Sequence, residues 1–211
     1  MPLHPCEAVI GAVRPWLGLI LNECYISGIS KKYLVTREID HMCFRCRSTD
    51  EYVDIRTRLT SNDIGTLLVE DIIGGRPIST ILLSKPYVYE DWTIPCIEIA
   101  CPKKGKAHKV GLEHVEVVIG DIEDGFHNSK EKLLKFIETY PNILFDMKAI
   151  DKVINADISL VLANSGSMKF HVRSLFDVCT YELSQGITTG VPPNYFDDEK
   201  LKPDKNEINQ A

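Results

Sequence analysis

Two constellations recur along this chain at a single interval, and that recurrence limits its architecture more than any other feature. The acid–histidine pair Asp40-His41 reappears as Glu113-His114, 73 residues further on. A polar residue inside an apolar, strand-like run, Glu98 in Ile97-Glu98-Ile99, reappears as His171 in Phe170-His171-Val172 at the same interval. A repeated supersecondary unit with ligand-type side chains at matching places can bring four of them to one point.

Local patterns support two such units. Ile10, Val13, Leu17, Leu21 and Cys24 fall at helical spacing, so residues 1–32 read as a helical extension laid on the main body. Pro15 is expected to kink or divide it. The first unit, 33–101, begins with a strand at His41–Cys46, and the capping box Ser48-Thr-Asp-Glu51 opens a helix through Leu59. Strands follow at Thr66–Glu70, Pro77–Leu83 and Trp92–Ala100, with Gly74-Gly75 as a turn. A linker, Pro102–Lys106, leads to the second unit, 107–185. It reads as a strand at Leu112–Ile119, a helix at Ser129–Tyr140 and a weaker strand at Ile143–Met147. A hairpin then pairs Ile158–Leu162 with Met168–Val172 around Asn164-Ser165-Gly166, and Ser174–Leu183 forms a last helix. Each unit is β-α-β-β-β, and the fold class is α+β. Beyond Gly186 the chain turns polar, and residues 186–211 read as a disordered tail.

A length of 211 residues accommodates two fused units with a shared core. The net charge of −6 argues against a nucleic-acid or membrane-surface partner, and the small basic cluster Lys103, Lys104 and Lys106 reads as a solvated loop. Ala8–Leu21 is interrupted by Arg14 and Pro15 and is too short to cross a bilayer. Seven cysteines without a dense framework fit free thiols in a reducing compartment, so a cytoplasmic protein is expected.

Strand alternation assigns faces. His41, Cys43 and Arg45 share one face of their strand, opposite Met42, Phe44 and Cys46. His114 and Glu116 share a face, opposite the apolar Val115, Val117 and Ile119. Glu98 falls with Trp92, Ile94, Cys96 and Ala100, and His171 with Lys169. Charged groups in apolar surroundings are costly unless paired or bound to a metal. Imidazole and carboxylate together suit Zn, Fe, Mn, Ni or Co, so a divalent metal shared by the two units is one expectation. Hydrogen bonding among the same residues without a metal is the other. Cys43-Phe-Arg-Cys46 is no chelating pair, because residues three apart on a strand face opposite ways. Gly74-Gly75-Arg76 lacks the strand–helix setting of a phosphate loop, and no G-x-S-x-G element occurs.

The segments Asp40-His-Met-Cys-Phe-Arg-Cys46, Ile73-Gly-Gly-Arg-Pro-Ile78, Ile97-Glu98, Glu113-His-Val-Glu-Val117 and Lys169-Phe-His171 resemble those of the YecM-like family. That family is placed in the glyoxalase/bleomycin-resistance/dihydroxybiphenyl dioxygenase (vicinal oxygen chelate) superfamily. The resemblance runs from about Ile39 to Val178. It implies two βαβββ modules forming a cupped mixed sheet around a metal, with ligands on the first and last strand of each module. Carried over residue by residue, these are His41, Glu98, His114 and His171. Superfamily members more often close the second module with a carboxylate, and His171 departs from that pattern.

The resemblance further implies an isomerase, lyase or dioxygenase that chelates neighbouring oxygens of a small substrate. Glu116, on the face of His114, is an alternative ligand or base; in that scheme it moves a proton, or Glu98 does if it leaves the metal, and Arg45 and Arg76 hold an acidic substrate group. Salt bridges to nearby carboxylates are the competing role for both arginines. A non-catalytic module that holds a small molecule in the same cavity is the alternative function. The partner is then a small-molecule substrate or ligand, with the chain a monomer or homodimer.

Overall fold

Alternating β-branched and aromatic residues build most of a single mixed sheet, onto which every major helix packs. In a computed structural model of the protein the described residues are 3–61, 63–103, 108–121, 125–126 and 129–196. The elements in chain order are α1 (Glu7–Ile10), α2 (Val13–Ile26), α3 (Lys31–Leu34), β1 (Glu38–Arg45), α4 (Thr49–Ser61), β2 (Gly65–Ile73), β3 (Arg76–Tyr89) and β4 (Trp92–Ala100). They continue with β5 (Gly111–Val118), α5 (Lys130–Glu138), β6 (Asp157–Val161), β7 (Ser167–His171) and α6 (Leu175–Ser184). No helix among the described residues is long and apolar enough to cross a membrane.

The sheet order is β2-β3-β4-β1-β5-β7-β6. β1 runs parallel to β4 and β5 parallel to β7, while β1 and β5 join antiparallel at the centre. The two halves therefore meet edge to edge through their first strands. The fold is α+β, as the pattern predicts, with a helical N-terminal extension. The second half has one strand fewer than expected: the Ile143–Met147 segment contributes only an isolated bridge, Asp146 to Ser159. Leu144 and Met147 point to solvent there, so no apolar face drives a full strand.

One face of the sheet carries the main core. Leu17, Ile20 and Leu21 of α2, Tyr52, Ile55 and Leu59 of α4, and Leu133 and Phe136 of α5 pack there. Their sheet partners are Met42, Phe44, Ile97, Ile99, Val115, Val117, Met168 and Phe170. Among the described residues thirty-nine buried apolar side chains form this one cluster, so the halves are not separate cores. Trp92 and Ile94 also lie in it, opposite to the face expected from uniform alternation. The β3–β4 register shifts between Leu82 and Tyr87, with the extra residues on β3 opposite Pro95, whereas Glu98 pairs with Cys43 and stays outside that cluster.

Local signals account for the helix ends. Pro15 sits in the first turn of α2, where its missing N–H is not needed, so it neither kinks nor divides the helix. The break comes earlier, at Gly11, with φ of 86°. Glu51 N donates to Ser48 Oγ at 3.1 Å, and the Glu51 carboxylate accepts from Arg47 N, which completes the cap of α4. Residues 104–106 of the expected linker and 197–211 of the expected tail lie outside the described residues. In the part of the tail that is described, Thr189 Oγ1 donates to Asp71 at 2.6 Å and Phe196 stacks on Tyr52 at 5.8 Å.

Candidate metal centre

The opposite face of the sheet is polar at its middle, and its geometry comes from two β-bulges. Along the β1–β5 ladder Ile39 pairs with Val117 and His41 with Glu116, which leaves Asp40 as an extra residue on β1. Further along, Cys43 pairs with His114 and Phe44 with Leu112, which leaves Glu113 as an extra residue on β5. A bulge sends two successive residues to the same side. Each acid thereby joins its histidine on the polar face, although uniform alternation would have sent it to the core.

The histidines converge on Glu116. His41 Nε2 lies 3.4 Å and His114 Nε2 3.2 Å from Glu116 Oε1, and Lys169 Nζ donates to the same oxygen at 2.7 Å. His171 Nδ1 is 3.5 Å from Glu116 Oε2. Glu98 Oε2 stands 3.6 Å from His114 Nε2 on the solvent side. All three histidines and Glu116 are at most 4% exposed, so water reaches them poorly.

Behind this group a further set of contacts fixes the rings. His41 Nδ1 is 3.1 Å from Asp40 Oδ2, which aims Nε2 at Glu116. Asp40 Oδ1 takes a hydrogen bond from His171 Nε2 at 2.9 Å, and Asp40 Oδ2 accepts the backbone N–H of Leu175 at 2.6 Å. That N–H belongs to the first turn of α6, where an acid is favoured. His171 Nδ1 is 2.9 Å from Asn155 Oδ1, and Asn155 holds a left-handed backbone with φ of 51°. Glu113 stands 3.9 Å from His114 Nδ1 and is clamped by Arg45 through two bonds of 2.5 and 2.6 Å.

Mutual pairing sets the charge states. Burial pushes the Asp40 pKa up, but His171 and then His41 outweigh it and hold the carboxyl well below its usual range. Burial likewise opposes protonation of His41 and His171. Asp40, joined by Glu116, reverses this and raises both. Burial would keep Glu116 protonated, but Lys169 and His41 keep it ionised, and Lys169 is raised in turn by Glu116. His114 goes the other way. Burial and then Lys169 lower its pKa, so it stays neutral. Glu98 is also held ionised against burial, chiefly by His114 and Lys169.

A divalent ion fits this donor set. Groups of ligand atoms within 4.8 Å of one another are Asp40/His41/His171, His41/His114/Glu116 and Cys43/Glu98/His114. The middle group offers two imidazole nitrogens and a carboxylate, which suits first-row divalent metals. Although close to Glu116, His114 Nε2 is out of line for a hydrogen bond and is a buried nitrogen with no hydrogen-bond partner among the described residues. A buried orphan of this kind calls for an unseen ligand.

Of the four ligands expected from sequence, the structure brings His41 and His114 into that middle group, with Glu116 as the carboxylate. Glu98 flanks His114, and both ring nitrogens of His171 are engaged by Asp40 and Asn155. The registers explain the displacement of His171. His41 pairs with Cys96 and His114 with Ser167, so the counterpart of Glu98 in the second half is Lys169, two residues before His171. Arg45 is bound to Glu113, whereas Arg76 has no such partner. Cys43 and Cys46 are both buried free thiols on opposite faces of the strand. Sequence reasoning missed the roles of Lys169 and Asn155. Lys169 carried a signal, a charge alternating with Met168 and Phe170. Asn155 carried none.

Comparison with known proteins adds a lineage. Residues 22–182 match the family described as YecM protein. The chain belongs to the YecM family. It is 34% identical over 87 residues to Protein YecM of Escherichia coli (strain K12), which covers 40% of this chain and 44% of that protein. It is 33% identical over 82 residues to an uncharacterized protein of Haemophilus influenzae, covering 39% of this chain and 42% of that one. The match thus spans less than half the length of these curated relatives. A solved structure described as "Structural Genomics, Protein EC4020" superposes with a TM-score of 0.64 over 86% of this chain and 98% of that one. At 19% identity that likeness concerns the fold alone.

Proposed function

We propose that this YecM-family chain holds one divalent metal ion between its two halves and works as a vicinal-oxygen-chelate protein on a small oxygen-bearing ligand. The observation that carries this reading is the convergence of two buried imidazole nitrogens on one carboxylate oxygen: His114 Nε2, which makes no aligned hydrogen bond among the described residues, and His41 Nε2 lie 3.2 and 3.4 Å from Glu116 Oε1. His41, His114 and Glu116 are the ligands. His171 supports them through Asp40, which orients His41 from behind. When bound, the ion supplies Lewis-acid polarisation of neighbouring substrate oxygens.

The chain's own residues supply the rest. Glu98 is ionised and stands at the solvent side of His114, so it is the group placed to take a proton from a bound ligand. Lys169 occupies the place where the second half would present the counterpart of Glu98. An ammonium there would give a cation no ligand, so His41, His114 and Glu116 would hold the ion with three protein donors, fewer than the four of closed structural sites. That shortfall favours ligand chelation over a closed structural site. The reaction classes consistent with this arrangement are isomerase, lyase and dioxygenase.

The test is elemental analysis of protein purified without chelators and again after reconstitution. About one divalent ion per chain is expected in wild type, with loss in the His41→Ala/His114→Ala double variant and in Glu116→Gln. His171→Gln should keep it. Wild type that takes up no metal after reconstitution, or a double variant that binds as much as wild type, would sink the reading.

A further inference from the structure

Arg76 is a cation, largely buried, that makes no ion pair among the described residues. It opens β3, and the unbroken ladder from Arg76 to Ile78 puts it on the face of Ile78, Cys43 and Ala100, the same face as the metal-centre residues. The residue is 8% exposed, its Nε is buried without a hydrogen bond, and no carboxylate comes within ion-pair distance of it among the described residues. Other arginines of the fold have an acid: Arg45 has Glu113, Arg56 has Glu70 and Arg173 has Asp177. An N–H shut off from water without an acceptor, on a cation without a counter-charge, is a costly arrangement for a fold to keep. Burial, and then the charge of Arg45, push its pKa down, while Glu98, Cys43 and Glu113 pull the other way from too far off to form a bond.

Two further observations say what is missing. Around the polar face Arg45, Arg76 and Lys169 are permanent cations, set against the carboxylates of Asp40, Glu98, Glu113 and Glu116. Arg45 is paired with Glu113 and Lys169 with Glu116, which leaves Arg76 as the member of the set without a local counter-charge among the described residues. In addition, Arg76 Nη1 and Lys103 Nζ both border the space over Gly74, where a Cβ would stand 3.7 and 3.5 Å from them. Gly74 has φ of 60°, so no side chain is readily placed there.

We propose that Arg76 is the recognition residue for a planar or tetrahedral oxyanion of the ligand, a carboxylate or a phosphate, held through its guanidinium fork on the sheet face that carries the metal centre. The fork matches both groups bidentately, and its geometry is fixed by burial before the ligand arrives. The ligand class is therefore a small anion whose other oxygens reach the metal. This deepens the metal-centre reading and rests on it for where the rest of the ligand sits, though the anion contact is Arg76's own. The unpaired charge is a stability cost that ligand binding removes.

The test is isothermal titration calorimetry of malonate, and separately of inorganic phosphate, into the full chain as purified and after chelator treatment. Metal content is measured on the same samples. Wild type should bind one of the two anions, and which one it binds identifies the group. Arg76→Met should weaken that binding by about tenfold or more, with an unfolding midpoint no lower than wild type, and Arg76→Lys should fall between. If Arg76→Met fails to fold, Arg76→Gln is read in its place. Wild type that binds neither anion in either form, or a folded variant that binds as tightly as wild type, overturns the proposal. Metal bound normally with anion binding indifferent to Arg76 defeats this inference alone. Arg76-dependent binding in a chain that never takes up metal defeats the metal-centre reading and leaves the anion site standing.

Discussion

Asp40 and Glu113 are each the extra residue of a β-bulge, one on β1 and one on β5, placed symmetrically across the ladder that joins the two halves of the sheet. Each bulge turns an acid onto the same face as the histidine that follows it. The acid–histidine repeat thus marks a local two-fold relation. The two copies have diverged in use. Asp40 is wholly buried and binds two histidines and a helix N-terminus, whereas Glu113 is a quarter exposed at its side chain and is held by Arg45.

The buried half of this relation gives the first prediction. Asp40→Asn can keep the acceptor that Leu175 N and His41 Nδ1 share but then places an N–H₂ against His171 Nε2, and it removes the charge that both rings face. Removing one partner of a buried charged network costs about 3–5 kcal/mol. Loss of a residue that orients a metal ligand typically costs about 10–100-fold in metal affinity. Urea unfolding of metal-free protein should show the first loss and metal titration the second. A variant as stable as wild type would refute the network's role.

Lys169 predicts an effect of opposite sign. Its ammonium bonds Glu116 Oε1, the oxygen that also faces His41 and His114, so it competes with any cation placed between them. Lys169→Met removes that competitor and its repulsion, which at an effective dielectric near 20 is worth roughly tenfold or more in metal affinity. Competition titration against a chromophoric chelator measures it. Weaker metal binding in the variant would show that Lys169 supports the centre and does not oppose it.

Much of this was legible in the sequence, and the exceptions share one cause. β4 and the hairpin strands β6 and β7 fall within a residue of their expected bounds because an amphipathic strand announces itself by period two. What alternation cannot show is where it slips. Asp40 and Glu113 each mark a change of parity, and β3 slips register opposite Pro95. For the two acids the available signal was a charge at a position uniform alternation assigns to the core. The equal 73-residue spacing located the site, yet the parallel ladders pair Glu98 with Cys43 and Lys169 with Glu116. The counterpart of Glu98 is therefore Lys169, a match visible only once register is known. Asn155 sits in a loop, and nothing in its neighbours in sequence points to His171.

Gly166 ties the second bulge to the hairpin turn. Its φ is +117°, and a Cβ built on it would lie 1.8 Å from the carbonyl oxygen of Glu113. Gly166→Ala must therefore move either the turn or the bulge. Backbone strain of this kind costs of order 1–3 kcal/mol, and the steric clash adds to it. The unfolding midpoint in urea should fall accordingly, and metal affinity should drop with it because Glu113 and His114 share the displaced segment. A variant with unchanged stability would mean that the turn is free to relax away from β5.

The same turn carries a pH-dependent tether. Glu23 of α2 accepts from Asn164 N at 3.2 Å, Asn164 Nδ2 at 2.6 Å, Ser165 N at 3.1 Å and Ser165 Oγ at 2.6 Å. The Ser165 and Asn164 side chains lead in pulling its pKa down to about 2 from 4.5. A carboxylate with a lowered folded-state pKa stabilises the fold fully above its unfolded value, and the contribution fades as pH falls toward the folded value. Wild type should therefore melt above Glu23→Gln at pH 6–8 by a constant margin. The margin should begin to narrow near pH 4.5 and close near pH 2. Scanning calorimetry of both proteins across that range checks it. A margin that persists undiminished at pH 2, or widens toward acid, would show that the charge of Glu23 is not what holds α2 to the hairpin.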